Sequence, residues 1–126
     1  MLKRNQFEIN SIAEVGCGAG EILNQLYQRH PNKDIKFYGY EIKSDAFQLC
    51  LERSNDRLDF FIDDIFNVNK KFGLLLIMDV IEHVDDYIGF IKQCSDKADY
   101  KLYHIPLDFI STWFTKKCSN DSKTEG

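Results

Sequence analysis

The chain has 126 residues, enough for one small domain and too few for two. Its formal net charge of -4, from 16 basic and 20 acidic side chains, argues against a general nucleic-acid binder, which needs clustered Lys and Arg. Hydrophobic residues make up 44% and charged residues 29%, as in an ordinary globular domain, and no run approaches the ~20 apolar residues of a membrane-spanning helix.

Residues 1–15 lack the continuous apolar stretch of an export signal. Cys17, Cys50, Cys94 and Cys118 form no C-x-x-C pair, so reduced thiols in a cytoplasmic protein are expected. Neither these cysteines nor His30, His83 and His104 have metal-ligand spacing, and no metal is expected. The adjacent basic pairs, Lys3-Arg4, Lys70-Lys71 and Lys116-Lys117, read as solvated termini and a solvated loop.

Residues 1–10 are mixed and read as a lead-in to a first strand at Ser11 to Val15. Next comes Glu14-Val15-Gly16-Cys17-Gly18-Ala19-Gly20, with glycine at every second position. Glycine accepts positive φ and lets a ligand approach where a Cβ would block it. A strand, alternating glycines and then a helix outline a nucleotide-binding turn. The dinucleotide pattern G-x-G-x-x-G would need its third glycine at residue 21, which is Glu21. Glu14, two positions before the first glycine, suits a ligand with a positive group better than a pyrophosphate. S-adenosylmethionine carries two such groups, an ammonium and a sulfonium.

A helix is expected from about Gly20 to His30, with Ile22, Leu23, Leu26 and Tyr27 on its buried stripe and Pro31 as its stop. Ile35 to Glu41 reads as strand two, behind a turn at 31–34. Glu41 can accept from both ribose hydroxyls of an adenosine, because a carboxylate has two acceptor oxygens; the alternative is an acid capping a strand. Ser44 is a candidate N-cap for a second helix, with Ala46, Phe47, Cys50 and Leu51 buried. Arg57 to Ile62 reads as strand three, followed by Asp63-Asp64.

Phe72 to Asp79 is apolar at consecutive positions, as in a parallel strand covered on both faces. It is expected beside strand one at the sheet's centre, where ligands of open α/β sheets bind at the strands' carboxyl ends. Asp79-Val80-Ile81-Glu82-His83-Val84 follows it. Asp85 and Asp86 then open a helix, with Tyr87, Ile88, Ile91 and Cys94 facing inward. Tyr100 to Ile105 reads as strand five, and residues 116–126 as a polar tail after a domain at 1–115.

Glu14 to Gly20, Glu41, Asp64 and the run Met78 to Val84, in that order, resemble the motifs of the class I S-adenosylmethionine-dependent methyltransferases. The resemblance spans roughly residues 11 to 110 and implies a three-layer, Rossmann-like α/β fold with a mostly parallel sheet of about five strands. It implies S-adenosyl-L-methionine as the methyl donor. Glu14, Gly16, Cys17, Gly18, Gly20, Glu41, Ile42, Asp64, Ile65, Asp79 and Val80 would bind it. In the family the acid matching Asp64 holds the adenine amino group, with Ile65 against the ring; the alternative is a turn acid bonded to backbone amides. The segment at Asp79 and Val80 lines the methionine end of the donor. His83 is the candidate general base for a hydroxyl acceptor, and His104 is second; for His83 the alternative is a helix-terminal residue bonded to backbone.

The family's sheet has seven strands, and the last two have no counterpart here, so the chain reads as C-terminally truncated. Strand five would then be an exposed edge that offers a route to self-association. The implied function is methyl transfer to a small-molecule or glycan-type acceptor. One alternative is a non-catalytic cofactor-binding or partner module with the same fold. Another is a nicotinamide-dependent oxidoreductase, against which Glu21 counts.

Overall fold

The computed structural model describes residues 9–30, 34–78 and 80–104. Five strands form one parallel sheet: β1 (Ser11–Val15), β2 (Lys36–Tyr40), β3 (Leu58–Phe61), β4 (Phe72–Met78) and β5 (Ala98–His104). Among the described residues three α-helices lie between the strands: α1 (Glu21–Arg29), α2 (Ser44–Leu51) and α3 (Tyr87–Lys97). The strand order is β3-β2-β1-β4-β5. β1 is therefore flanked by β2 and β4, and the order reverses at the β1–β4 junction.

Each sheet face carries its own apolar cluster, because successive side chains of a strand point to opposite faces. On one face Ile12, Phe37, Leu58, Phe60 and Leu76 pack with Leu23 of α1 and Cys50 of α2. On the other, Ala13, Val15, Tyr40, Leu75 and Ile77 pack with Phe90 and Cys94 of α3 and with Ile65. This gives helices on both sides of the sheet, a three-layer α/β domain. β4 is buried at consecutive positions Leu75, Leu76 and Ile77, as its continuous apolar run predicts. Burying each such side chain contributes about 1.5–3 kcal/mol.

The helix faces differ from expectation in detail. In α1, Leu23 is fully buried while Leu26 and Tyr27 pack at the margin, and Ile22 is exposed. In α2, Cys50 is buried and Phe47 partly so, but Leu51 is exposed. In α3 the inward stripe is Tyr87, Phe90 and Cys94, at i, i+3 and i+7, and Ile88 and Ile91 are exposed. Hydrophobicity alone favoured the isoleucines, but the helical repeat of 3.6 residues selects the Phe90 side.

The caps also differ. Ser44 is the first residue of α2 rather than its cap; Lys43 holds the cap position without a side-chain bond. Asp86 is the cap of α3, and its Oδ1 accepts from the Gly89 N–H at 3.0 Å. Lys70 is not simply solvated: its ammonium stands 3.9 Å over the Tyr38 ring, a cation–π contact, and Lys71 pairs with Asp99 at 3.2 Å.

Among the described residues, β3 and β5 are the sheet edges. Along β5, Tyr100 and Leu102 are exposed. Among the described residues no helix is long and apolar enough to cross a membrane, and no cluster of His, Cys, Asp and Glu could hold a metal ion. The lead-in before Ile9, the turn at 31–33, Asp79, Cys118 and everything after His104, including the polar tail, lie outside the described residues.

Candidate functional site

The glycine turn follows β1 directly. Gly16, Gly18 and Gly20 all have positive φ, at 60°, 57° and 80°, a region that side chains with a Cβ rarely adopt. Their surroundings separate them. A Cβ on Gly20 would stand 2.6 Å from the Phe60 ring, so this glycine lets α1 close onto the sheet. A Cβ on Gly18 would meet nothing within 4 Å. Gly18 thus presents bare backbone to open space. Gly16 lies between, with Val80 Cγ2 3.1 Å from the position of its missing Cβ.

The turn is fastened to the end of β2. The Cys17 N–H donates to the Tyr40 carbonyl at 3.1 Å. The Gly18 N–H donates to Glu41 Oε1 and the Lys43 N–H to Glu41 Oε2, both at 2.9 Å. Glu41 is only 7% exposed, so its charge is held by these two backbone amides rather than by bulk water.

A cleft of about 460 Å³ opens beside this turn, at the carboxyl ends of β1 to β4. Of the residues singled out from the sequence, Gly16, Glu41, Ile42, Asp64, Ile65, Val80 and His83 line it. Glu14, Cys17, Gly18 and Gly20 do not. Glu14 is 2% exposed within β1. The Cys17 side chain turns away from the cleft into the cluster with Cys50 and Leu23. Burial, followed by the nearby Cys50 thiol and the Glu14 carboxylate, pushes the Cys17 thiol far above its ordinary range. Asp79 lies outside the described residues.

Asp64 Oδ1 accepts from the Phe66 N–H at 3.0 Å and so caps the short 3-10 turn Ile65–Asn67. Ile65 is 1% exposed and belongs to the core, whereas Ile42 is 69% exposed at the opening. Of the two isoleucines, Ile42 therefore offers a ligand far more apolar surface. His83 ends a second 3-10 turn, Ile81–His83, rather than starting α3; it is exposed, and its N–H donates to the Val80 carbonyl at 2.9 Å. His104 closes β5, opposite Met78 of β4.

Eight further residues complete the wall, Val15, Tyr40, Lys43, Asp63, Phe66, Val84, Phe90 and Gln93, of which Lys43, Phe66, Phe90 and Gln93 had not stood out in the sequence. Tyr40 was legible only as a strand residue; burial raises its phenol pKa, with Tyr38 and Asp63 adding to the shift. Phe90 and Gln93 are three apart on α3, so the helix repeat turns both toward the cleft.

A family model described as a methyltransferase domain matches residues 13–97. The chain belongs to that family. An uncharacterized protein of Methanocaldococcus jannaschii is 31% identical over 105 residues, covering 79% of this chain and 44% of that protein. Among solved structures, the plantazolicin methyltransferase BpumL in complex with a pentazolic desmethylPZN analogue and S-adenosylhomocysteine superimposes with a TM-score of 0.63 at 20% identity, over 78% of this chain and 41% of that one. The magnesium protoporphyrin IX methyltransferase of Synechocystis PCC 6803, with bound S-adenosylmethionine, gives 0.60 at 18% identity, over 75% and 47%. An O-methyltransferase from a polyketide synthase of Brevibacillus brevis, in complex with S-adenosylhomocysteine, gives 0.64 at 18%, over 81% and 38%. The chain spans less than half the length of each of these relatives. At these identities the superpositions speak to the fold, which is the Rossmann-like methyltransferase fold expected from the motifs. Membership in the family removes the oxidoreductase alternative.

Proposed function

We propose that this methyltransferase-family chain binds S-adenosylmethionine in the cleft beside the glycine turn and transfers its methyl group to a small-molecule or glycan-type acceptor. The observation that carries the reading is that one cleft at the strands' carboxyl ends is lined by Gly16 of the glycine turn and by the carboxylates of Glu41 and Asp64. Gly16 has positive φ and no Cβ, which fits a ligand held close to backbone. The bound S-adenosylmethionine and S-adenosylhomocysteine of the structural relatives support it.

Glu41 accepts two backbone bonds, and a carboxylate has about four acceptor sites, so it keeps capacity for ribose hydroxyls. Asp64 spends Oδ1 on its own turn, leaving Oδ2 for an amino group such as that of adenine. Ile42 and Val80 would flank the adenosine with apolar surface. Glu14 would act on a positive ligand through water or as a field, since it does not reach the cleft wall. Asp79 and Val80 would serve the methionine end, Val80 from the cleft wall.

S-adenosylmethionine supplies an already activated methyl group, so the protein's task is to orient the acceptor and exclude water. His83, exposed on the wall, is placed to take a proton from a hydroxyl acceptor. A cytoplasmic location, and self-association through the β5 edge, belong to the same proposal.

A second reading is favoured by one observation, that the chain spans less than half the length of its relatives. On that reading it is a cofactor-binding or partner module without turnover of its own. Titration calorimetry with S-adenosylhomocysteine, followed by a methyl-transfer assay on an acceptor panel, tests both. Binding with turnover supports the enzyme; binding without turnover on any acceptor supports the module. No binding by the folded chain removes the proposed function.

A further inference from the structure

Beneath the glycine turn lies a pair of thiols that methyl transfer does not use. Cys17 and Cys50 are 33 positions apart in sequence, yet their sulfurs are 3.9 Å apart. Both are buried. Cys17 stands inside the turn, between Gly16 and Gly18, and Cys50 stands in the last turn of α2. The Cys50 S–H donates to the Gly18 carbonyl at 2.7 Å. The same glycine's N–H is held by Glu41 on its other side. Gly18 is thus fixed at both backbone polar groups, and one of the two fixings is a thiol.

We propose that Cys17 and Cys50 form a modification site, a dithiol that a small peroxide converts to a disulfide, and that this closure loosens the glycine turn's hold on its ligand. The effect on ligand rests on the proposed cofactor reading; the disulfide itself does not. Hydrogen peroxide is small enough for a site this enclosed. One thiolate attacks the O–O bond, gives up two electrons and becomes a sulfenic acid as hydroxide leaves and is protonated to water. The second sulfur then attacks the sulfenic sulfur, forming the S–S bond and releasing a second water. Two thiols and one peroxide give one disulfide and two waters.

A disulfide has S–S of about 2.0 Å, so the sulfurs must approach by about 1.9 Å. α2 is a packed helix, while Cys17 sits in a turn, so the turn is the partner that moves. The disulfide also has no S–H, and the Gly18 carbonyl loses its donor. Burial, the Cys50 thiol and the carboxylates of Glu14 and Glu41 disfavour the Cys17 thiolate, which keeps the resting pair a dithiol and makes its oxidation slow. Cys94 is an internal comparison, since it lies under α3 on the opposite face of the sheet.

The test treats the full chain with hydrogen peroxide under native conditions, then measures intact mass, peptide cross-links, Gly18 amide exchange and S-adenosylhomocysteine affinity. The expected result is loss of two hydrogens, a Cys17–Cys50 cross-link, faster Gly18 exchange and binding weakened by about tenfold, all reversed by a thiol reductant. Cys50→Ser keeps a donor for the Gly18 carbonyl and should show no peroxide-dependent change in exchange or affinity, whereas Cys50→Ala removes the donor and should show faster Gly18 exchange and weaker binding with or without peroxide. Over-oxidation at single cysteines without the cross-link overturns the proposal, as does a cross-link that leaves exchange and affinity unchanged. If the reduced chain binds no ligand, the cofactor reading fails, while the cross-link and the exchange rate still decide the dithiol.

Discussion

Glu41→Gln isolates the latch between the glycine turn and β2. The carboxylate places one oxygen on the Gly18 N–H and the other on the Lys43 N–H, each at 2.9 Å. Glutamine keeps the shape but has one acceptor oxygen and one NH2. Only one backbone amide can keep its partner; the other faces a donor. A hydrogen bond to a charged group contributes about 1.5–3 kcal/mol, and a neutral one about 1 kcal/mol. Losing one charged bond and neutralising the other therefore costs about 2–5 kcal/mol, and at 7% exposure water offsets little of it. For a 126-residue chain each kcal/mol lowers Tm by about 4 °C, so a fall of roughly 8–20 °C is expected. Equilibrium urea unfolding gives the same quantity, with an unchanged m value showing that only stability has moved. A loss below about 0.5 kcal/mol, the range of ordinary surface substitutions, would refute the latch.

Gly18→Ala and Gly20→Ala should separate ligand from packing. Both carry the penalty of positive φ, about 1–2 kcal/mol, but only Gly20→Ala drives a Cβ into the Phe60 ring. Gly20→Ala should therefore unfold at clearly lower urea, whereas Gly18→Ala should stay folded and lose affinity in a calorimetric titration. Asp86→Ala removes the α3 cap and should cost about 1 kcal/mol in chemical denaturation. The Cys94 thiol is pushed up to about 11 by burial, from 9.0, so the folded state holds its proton after the unfolded state has released it. Stability should fall as pH climbs from about 9 towards 11, and Cys94→Ala should flatten that decline in pH-dependent melting curves.

The sheet was legible because its signals are local and strong. Gly16, Gly18 and Gly20 mark the turn, and the unbroken run from Phe72 to Met78 marks a strand covered on both faces. Glu41 was singled out by its distance from that turn, and it lines the cleft, but its bonds to Gly18 and Lys43 were not legible, since nothing in a sequence says which backbone N–H meets a given carboxylate. The α3 face was misread because Ile88 and Ile91 outweigh Phe90 in hydrophobicity but not in phase. Lys43 and Gln93 were missed for a related reason: a polar residue on a helix or its cap looks solvated until a neighbouring strand end turns it into a wall. The Cys17–Cys50 contact joins a turn to a helix 33 positions later, a separation no short motif spans.

The pairing of β1 with β4 sets Ile12 against Leu74 and Val15 against Ile77. The chain must therefore extend 62 residues past Ile12 before its central ladder can close, and such distant pairings are slow to form. Until then the glycine turn has a neighbour on one side only. A fragment ending before Phe72 should hold no shaped pocket, so recognition of ligand would arise only once β4 is in place.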